Sequence, residues 1–215
     1  MTVLYFSRNP NPRLAVAVAK YLGSDLTYEF AAPFDPAHSP RFRLLNPSLK
    51  IPILQEGEQS LWEADAIACR LSMLAGSDFW RMNADLPDMI RWISWGKANF
   101  VLAIDMVHFE FGTKQRYDMG APDAGAVAEG RRLFHDSAAQ LQDHLAARSW
   151  LLDSGLSYAD FRMASYLPYN DVAGLPLHDY PAVAAWYHRL CSVPAWADPF
   201  AGLDAPLLPA IPPRD

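Results

Sequence analysis

The chain has 215 residues, of which 51% are hydrophobic and 20% charged, with a formal net charge of −6. That length accommodates one large or two small domains with a sizeable core, and the acidic balance argues against a nucleic-acid surface. No apolar run nears the ~20 residues of a membrane span.

The N-terminus, Met1-Thr2-Val3-Leu4-Tyr5-Phe6, reads as a strand, because a signal peptide would need a basic start and a longer apolar stretch. A loop crowded with turn residues follows, Ser7-Arg8-Asn9-Pro10-Asn11-Pro12-Arg13. Asn11 before Pro12 suits a helix cap followed by a first helical residue. Leu14, Val18 and Leu22 then recur at helical spacing, and Gly23 ends that helix. Leu26 to Ala31 is a second strand, and Arg41 to Leu45 a short helix.

The central stretch is Asn46-Pro47-Ser48-Leu49-Lys50-Ile51-Pro52-Ile53-Leu54. Pro52 cannot donate to a sheet ladder and therefore belongs at the first residue or the edge of a strand. Glu56-Gly57-Glu58 is a polar turn between two short apolar runs, which predicts a hairpin. Glu63-Ala64-Asp65 opens a helical pattern at Ile67, Cys69, Leu71 and Leu74, and the free N–H groups at that helix start suit an anion. The order is thus β-α-β-α-β-β-α to about Gly76.

Residues 77–86 read as a linker, and the remainder, 87–215, as all-helical. Met89 to Phe111 forms a long aromatic-rich run, Thr113 to Gly120 a polar loop, and Pro122 to Ala147 a second long helix with Val127, Leu133, Leu141 and Leu145 on its apolar side. Ser157-Tyr158-Ala159-Asp160 has the spacing of a capping box with Asp in place of the usual Glu. His135 and His144 are expected to face solvent, and the proline-rich residues from Ala201 on to form a surface or loosely ordered tail. Cys69 and Cys191 show no metal-ligand spacing and read as buried structural thiols, with no metal implied and the cytoplasm as the default compartment.

The Asn46–Leu54 run followed by Glu63, Ala66 and Ile67 resembles the N-P-x-x-x-[IV]-P-[IV]-L … E-S-x-A-I pattern of the cytosolic glutathione transferase family, and the S-x-A-D element resembles that family's buried capping box. The loop Asn9–Arg13 is similar to the S-P-N-P-R loop of bacterial members. The resemblance implies a thioredoxin-like domain at 1–76, a linker at 77–86, an all-helical domain at 87–215, a cis bond before Pro52, glutathione as co-substrate and a homodimer. It also implies site roles. Asn9 stands where the catalytic Ser or Cys would be, with Ser7 and Tyr5 as the other thiol donors within reach. Asn11 and Arg13 lie beside them. Ile51 is the backbone clamp ahead of Pro52, Lys50 meets the glycine carboxylate, Glu63 meets the γ-glutamyl amine, and the backbone of Ala64 meets the γ-glutamyl carboxylate. Trp92, Trp95, Asn99, Met106 and His108 would line the pocket for a small hydrophobic electrophile.

Two positions depart from the pattern. Ala64 replaces a serine hydroxyl, and Asn9 cannot form a mixed disulfide, which disfavours cysteine-type thiol transfer. The leading expectation is a glutathione transferase that conjugates or reduces an electrophile. The alternative is a glutathione-binding or protein-interaction module of the same fold with little catalysis.

Overall fold

β1 (Thr2–Phe6) is an inner strand of a four-stranded sheet, which is why Leu4, Tyr5 and Phe6 are all buried. The computed structural model describes residues 1–212, which fall into two compact units, Met1–Trp80 with Ser192–Leu207, and Arg81–Cys191 with the described residues from Leu208 on.

In the first unit β1 is followed by α1 (Pro10–Tyr21), β2 (Thr27–Phe30), α2 (Ser39–Leu45), β3 (Ile53–Glu56), β4 (Gln59–Trp62) and α3 (Ala64–Leu74). The sheet order is β2-β1-β3-β4. β1 runs parallel to β2, which requires the α1 crossover, and antiparallel to β3, with Leu4 opposite Leu54 and Tyr5 opposite Ile53. β3 and β4 form the expected hairpin around Gly57, whose φ of +62° is the left-handed conformation glycine takes without strain. The bond between Ile51 and Pro52 is cis.

α1 begins two residues before the start the sequence suggests. Asn9, not Asn11, is the N-cap residue, and the first closed turn is Arg13 N–H to Asn9 O at 2.9 Å. Both prolines fit because the first helical N–H groups have no intrahelical acceptor, so Pro10 and Pro12 remove no helix bond. The helix is buried from Leu14 to Ala19 rather than along one stripe. It packs against α3 on one flank and against α11 (Pro194–Ala197) on another. The segment Ser192–Leu207, which the sequence alone assigns to the helical domain, therefore belongs with the first unit.

The second unit holds α4 (Leu86–Ala98), α5 (Phe100–His108), α6 (Lys114–Arg116), α7 (Ala124–Leu145), α8 (Tyr158–Met163), α9 (Asn170–Ala173) and α10 (Pro181–Leu190). The long run expected from Met89 to Phe111 is broken at Asn99, with φ −131° and ψ −93°. There the Asn99 side-chain amide donates to Trp95 O at 2.8 Å, while Ala103 N–H donates to Asn99 O at 2.8 Å. A π-helical turn at Phe109–Thr113 and α6 then occupy the first half of the stretch expected to be loop, Thr113 to Arg116. α5 packs closely on α7 because Gly130 has no side chain, and a Cβ there would lie 2.8 Å from Val107 Cγ2. On α7, Val127, Phe134, Ala138, Leu141 and Leu145 are buried, whereas Leu133 is only half-buried.

The capping box is present at the start of α8. Asp160 is fully buried, and its carboxylate accepts from Leu151 N–H (2.9 Å), Ser157 N–H (3.0 Å), Ser157 O–H (3.3 Å) and Trp186 Nε1–H (3.0 Å). Cys69 and Cys191 are free thiols and half-buried, not buried as expected. On α3 the buried neighbours are Ile67, Ala68 and Leu71, and Leu74 is exposed.

Candidate functional site

The loop from Asn46 to Pro52 is held from within. Asn46 is 2% exposed. Its amide donates to Lys50 O at 2.8 Å, and its carbonyl accepts from Ser48 N–H at 3.0 Å and Ser48 O–H at 2.9 Å. Ser60 of β4 ties the preceding turn by donating to Leu45 O at 2.7 Å. Ile51 therefore emerges at a fixed place, one residue before Pro52 and two before β3 begins. Among the described residues neither its N–H nor its C=O has a partner. This is a short open edge that an extended peptide can pair with. Lys50 beside it is exposed.

Glu63 precedes α3 with φ +74° and ψ 124°, a conformation a glutamate rarely adopts. α3 has no side-chain cap, so its first turn presents backbone N–H groups, starting at buried Ala64, with the positive end of the helix dipole behind them. Glu63 itself is exposed.

The third part is the turn between β1 and α1. Ser7 is 4% exposed, and its oxygen accepts from Asn9 N–H at 3.3 Å and from the Asn9 side-chain amide at 3.0 Å. Among the described residues no acceptor takes the Ser7 hydroxyl proton. Ser7 thus remains a donor, and Asn9 is the group that orients it.

Tyr5 is not such a donor. Its ring meets Phe42 edge-on at 5.3 Å in the core formed with Ala31, Leu49 and Ile53. Its hydroxyl donates to Gln55 Oε1 at 2.8 Å and accepts from Arg41 at 2.7 Å, so its proton is committed. Arg13 is likewise occupied: it is 7% exposed, donates to Trp196 O and lies 4.8 Å over the Trp196 ring. A partner 183 residues away in sequence leaves no local signal. Asn11 is half-buried in the first turn of α1 and is not its cap.

The residues expected to line an electrophile pocket do not converge. Trp95 joins Arg91, Trp92, Gln140 and His144 in a cleft of about 280 Å³ on the second unit. There the Trp92 and Trp95 rings meet edge-on at 5.5 Å, and His144 lies 4.4 Å from Trp92 while its Nε2 pairs with Leu151 O at 2.9 Å. His144 is half-buried rather than solvent-facing, whereas His135 is exposed as expected. Asn99 serves the helix break, and Met106 sits against Gly130. His108 is thirteen residues beyond Trp95, on the other side of the break at Asn99. It is 2% exposed, flanked edge-on by Tyr166 (6.0 Å) and Tyr169 (5.4 Å), with no hydrogen-bond partner for Nε2 among the described residues. Burial, aided by the Arg116 charge and opposed by Asp171, pushes its pKa down to about 4, so the imidazole is neutral near pH 7. Tyr166 is bonded to Asp105, and burial raises its hydroxyl well above the usual range. Among the described residues no group of His, Cys, Asp and Glu could hold a metal ion.

Comparison with known proteins agrees with this architecture. Residues 124–189 match the family model of the glutathione S-transferase C-terminal domain. FtsZ-localized protein A of Caulobacter vibrioides (strain NA1000 / CB15N) is 30% identical over 181 residues, which span 76% of this chain and 77% of that protein. The structure of glutathione S-transferase III in apo form superposes with a TM-score of 0.82 at 26% identity, over 97% of this chain and 99% of that one. Glutathione S-transferase I from maize, in complex with an atrazine glutathione conjugate, shares the fold with a TM-score of 0.83 at 22% identity, over 93% of this chain and 96% of that one. The mixed thioredoxin-like sheet, the helical second unit and the sequence relationship together establish that the chain belongs to the glutathione S-transferase family.

Proposed function

We propose that the first unit binds glutathione and that the protein uses the bound thiolate to conjugate or reduce a small hydrophobic electrophile. The observation that carries this reading is the unpaired backbone of Ile51 beside the uncapped start of α3. The cysteinyl backbone pairs with Ile51 as a short antiparallel ladder. The γ-glutamyl carboxylate takes the N–H groups from Ala64 onward, Glu63 receives the γ-glutamyl amine, and Lys50 reaches the glycine carboxylate. Ser7 donates its hydroxyl to the sulfur, held by Asn9.

A free cysteine thiol has a pKa of ~8.5, and lowering it by two units requires roughly 2.7 kcal/mol of preference for the thiolate. A hydroxyl donor and the nearby start of α1 act in that direction. In conjugation the thiolate sulfur forms a bond to the electrophilic carbon, the leaving group departs with its electron pair, and the thiol proton passes to solvent. Such chemistry suits detoxification by a cytoplasmic homodimer without a metal. None of the described helices is long and apolar enough to cross a membrane. The solved maize relative with a glutathione conjugate supports the choice of ligand. Calorimetry with millimolar glutathione is the direct test: heat of binding is expected, and none would overturn the reading. Turnover of an aryl halide tests the chemical step.

A second reading is favoured by Ala64, which lacks the hydroxyl the family's pattern has there, and by the relationship to a protein named for its localisation with FtsZ. On that reading the chain is a binding module, and cosedimentation with FtsZ filaments, without aryl-halide turnover, is the expected result.

A further inference from the structure

We propose that Arg8 is the positioning residue of the thiol-donor turn, and that it works by gripping the C-terminal segment of the first unit. Side chains alternate along residues 6–9. Ser7 and Asn9 engage each other, while Phe6 and Arg8 turn to the segment 198–207. The Phe6 ring stacks on Phe200 at 5.9 Å and 23°. The Arg8 guanidinium lies 4.6 Å over the same ring, and its Nε donates to Ala205 O at 2.8 Å.

Two cations of α1 add to this hold, one just ahead of the segment at Trp196 and one within it at Ala201. Arg13 is buried and holds Trp196 by its carbonyl and its ring, and Lys20 reaches Ala201 O at 3.4 Å. Of the three, only Arg8 lies in the turn itself, covalently between the donor and the residue that orients it. An arginine fits the place better than a lysine, because its planar fork stacks on a ring and donates sideways at once. The consequence for chemistry rests on the glutathione reading; the mechanical link does not. While the segment is seated, Ser7 Oγ is fixed. When residues 198–207 are displaced, the turn loses its outer anchor and the donor loses its aim, with Ile51 and α3 untouched.

Arg8→Ala, Arg8→Lys and Phe200→Ala test this, the last without altering the turn. Hydrogen exchange in the ligand-free protein reads the mechanical link. Removing the charged hydrogen bond should speed exchange at the Asn9 amide roughly tenfold in Arg8→Ala. Phe200→Ala should act in the same direction, with Arg8→Lys in between. Unchanged exchange at Asn9 in both alanine variants overturns the proposal. Binding reads the consequence: affinity for glutathione should fall, while affinity for S-methylglutathione, whose sulfur carries no thiol to orient, should hold. An equal loss for both ligands would mean general loosening and would also overturn it. If the wild-type protein binds neither ligand, the glutathione reading fails and the exchange result alone decides the role of Arg8.

Discussion

The side-chain amide of Asn9 donates to the hydroxyl oxygen of Ser7 at 3.0 Å, and the Asn9 backbone N–H donates to the same oxygen at 3.3 Å. Two donors on one hydroxyl oxygen leave the hydroxyl free only to donate, and they polarise it toward doing so. On the glutathione reading proposed above, Ser7 is the group that meets sulfur, and Asn9 acts through it. Ser7→Ala should lower aryl-halide turnover by roughly 10–100-fold, the worth of one hydrogen bond to a developing thiolate. Asn9→Ala should cost less, because Ser7 keeps its proton. The pH dependence of thiolate absorbance at saturating glutathione checks the cause, with the apparent thiol pKa rising more in Ser7→Ala. The reverse ranking of the two variants would return the donor role to Asn9.

Glu63 sits at φ +74° and ψ 124°, where a side chain is strained and glycine is not. Glu63→Gly should therefore stabilise the fold by about 1 kcal/mol, net of the extra chain entropy glycine brings. It should also weaken glutathione binding by removing the carboxylate assigned to the γ-glutamyl amine. Urea unfolding and calorimetry read the two effects separately. A variant no more stable than wild type would show that Glu63 carries no strain, and undiminished binding would remove it from the ligand site.

Much of the fold was legible in the sequence because its signals are local. Pro52 marked the start of a strand, Glu56-Gly57-Glu58 marked the hairpin, and the Ser157–Asp160 spacing marked the capping box. The missed features depend on distant partners. Tyr5 cannot be separated from a thiol donor until Gln55 and Arg41 take up its hydroxyl. Arg13 looks solvated until Trp196 covers it. The break at Asn99 carries no glycine or proline, and only its side-chain bond to Trp95 O explains it. Asn9 and Asn11 both precede a proline, and local pattern cannot choose between them when the helix tolerates proline throughout its first turn.

His108 should impose a measurable pH dependence on stability. Its pKa falls from the ordinary 6.5 to about 4 in the folded protein, chiefly through burial. Between those values the unfolded chain binds the proton more readily than the native one, so stability decreases as pH falls from 6.5 toward 4 and the effect is complete below that. The full loss is about 3 kcal/mol. Arg116 adds to the shift and Asp171 opposes it. Replacing the imidazole in His108→Phe should flatten the stability profile between pH 6.5 and 4 relative to wild type, whatever the absolute stability of the variant. Parallel profiles for the two proteins would show that His108 is protonated as easily in the fold as outside it.

Asp160 is fully buried and satisfies four donors from three places in the chain, Leu151, Ser157 and Trp186. Burial pushes its carboxyl above the usual carboxylate range, and these donors offset that only in part. One oxygen serves Leu151 N–H and Trp186 Nε1–H, and the other serves both groups of Ser157, so each oxygen must be an acceptor. Asparagine supplies only one acceptor oxygen and turns an N–H pair toward donors on the other side. Asp160→Asn should consequently destabilise the protein by about 3 kcal/mol, as expected for stranding buried donors, despite nearly unchanged volume. Trp186→Phe leaves the carboxylate with its remaining donors and removes one bond together with some packing, so it should cost about 1–3 kcal/mol. Urea unfolding midpoints at constant slope measure both. Because Asp160 lies in the second unit and the groups proposed to hold glutathione lie in the first, a folded Asp160→Asn protein should keep wild-type affinity for glutathione at temperatures well below its transition. An asparagine variant as stable as wild type would mean that the four contacts are not held by a charged acceptor.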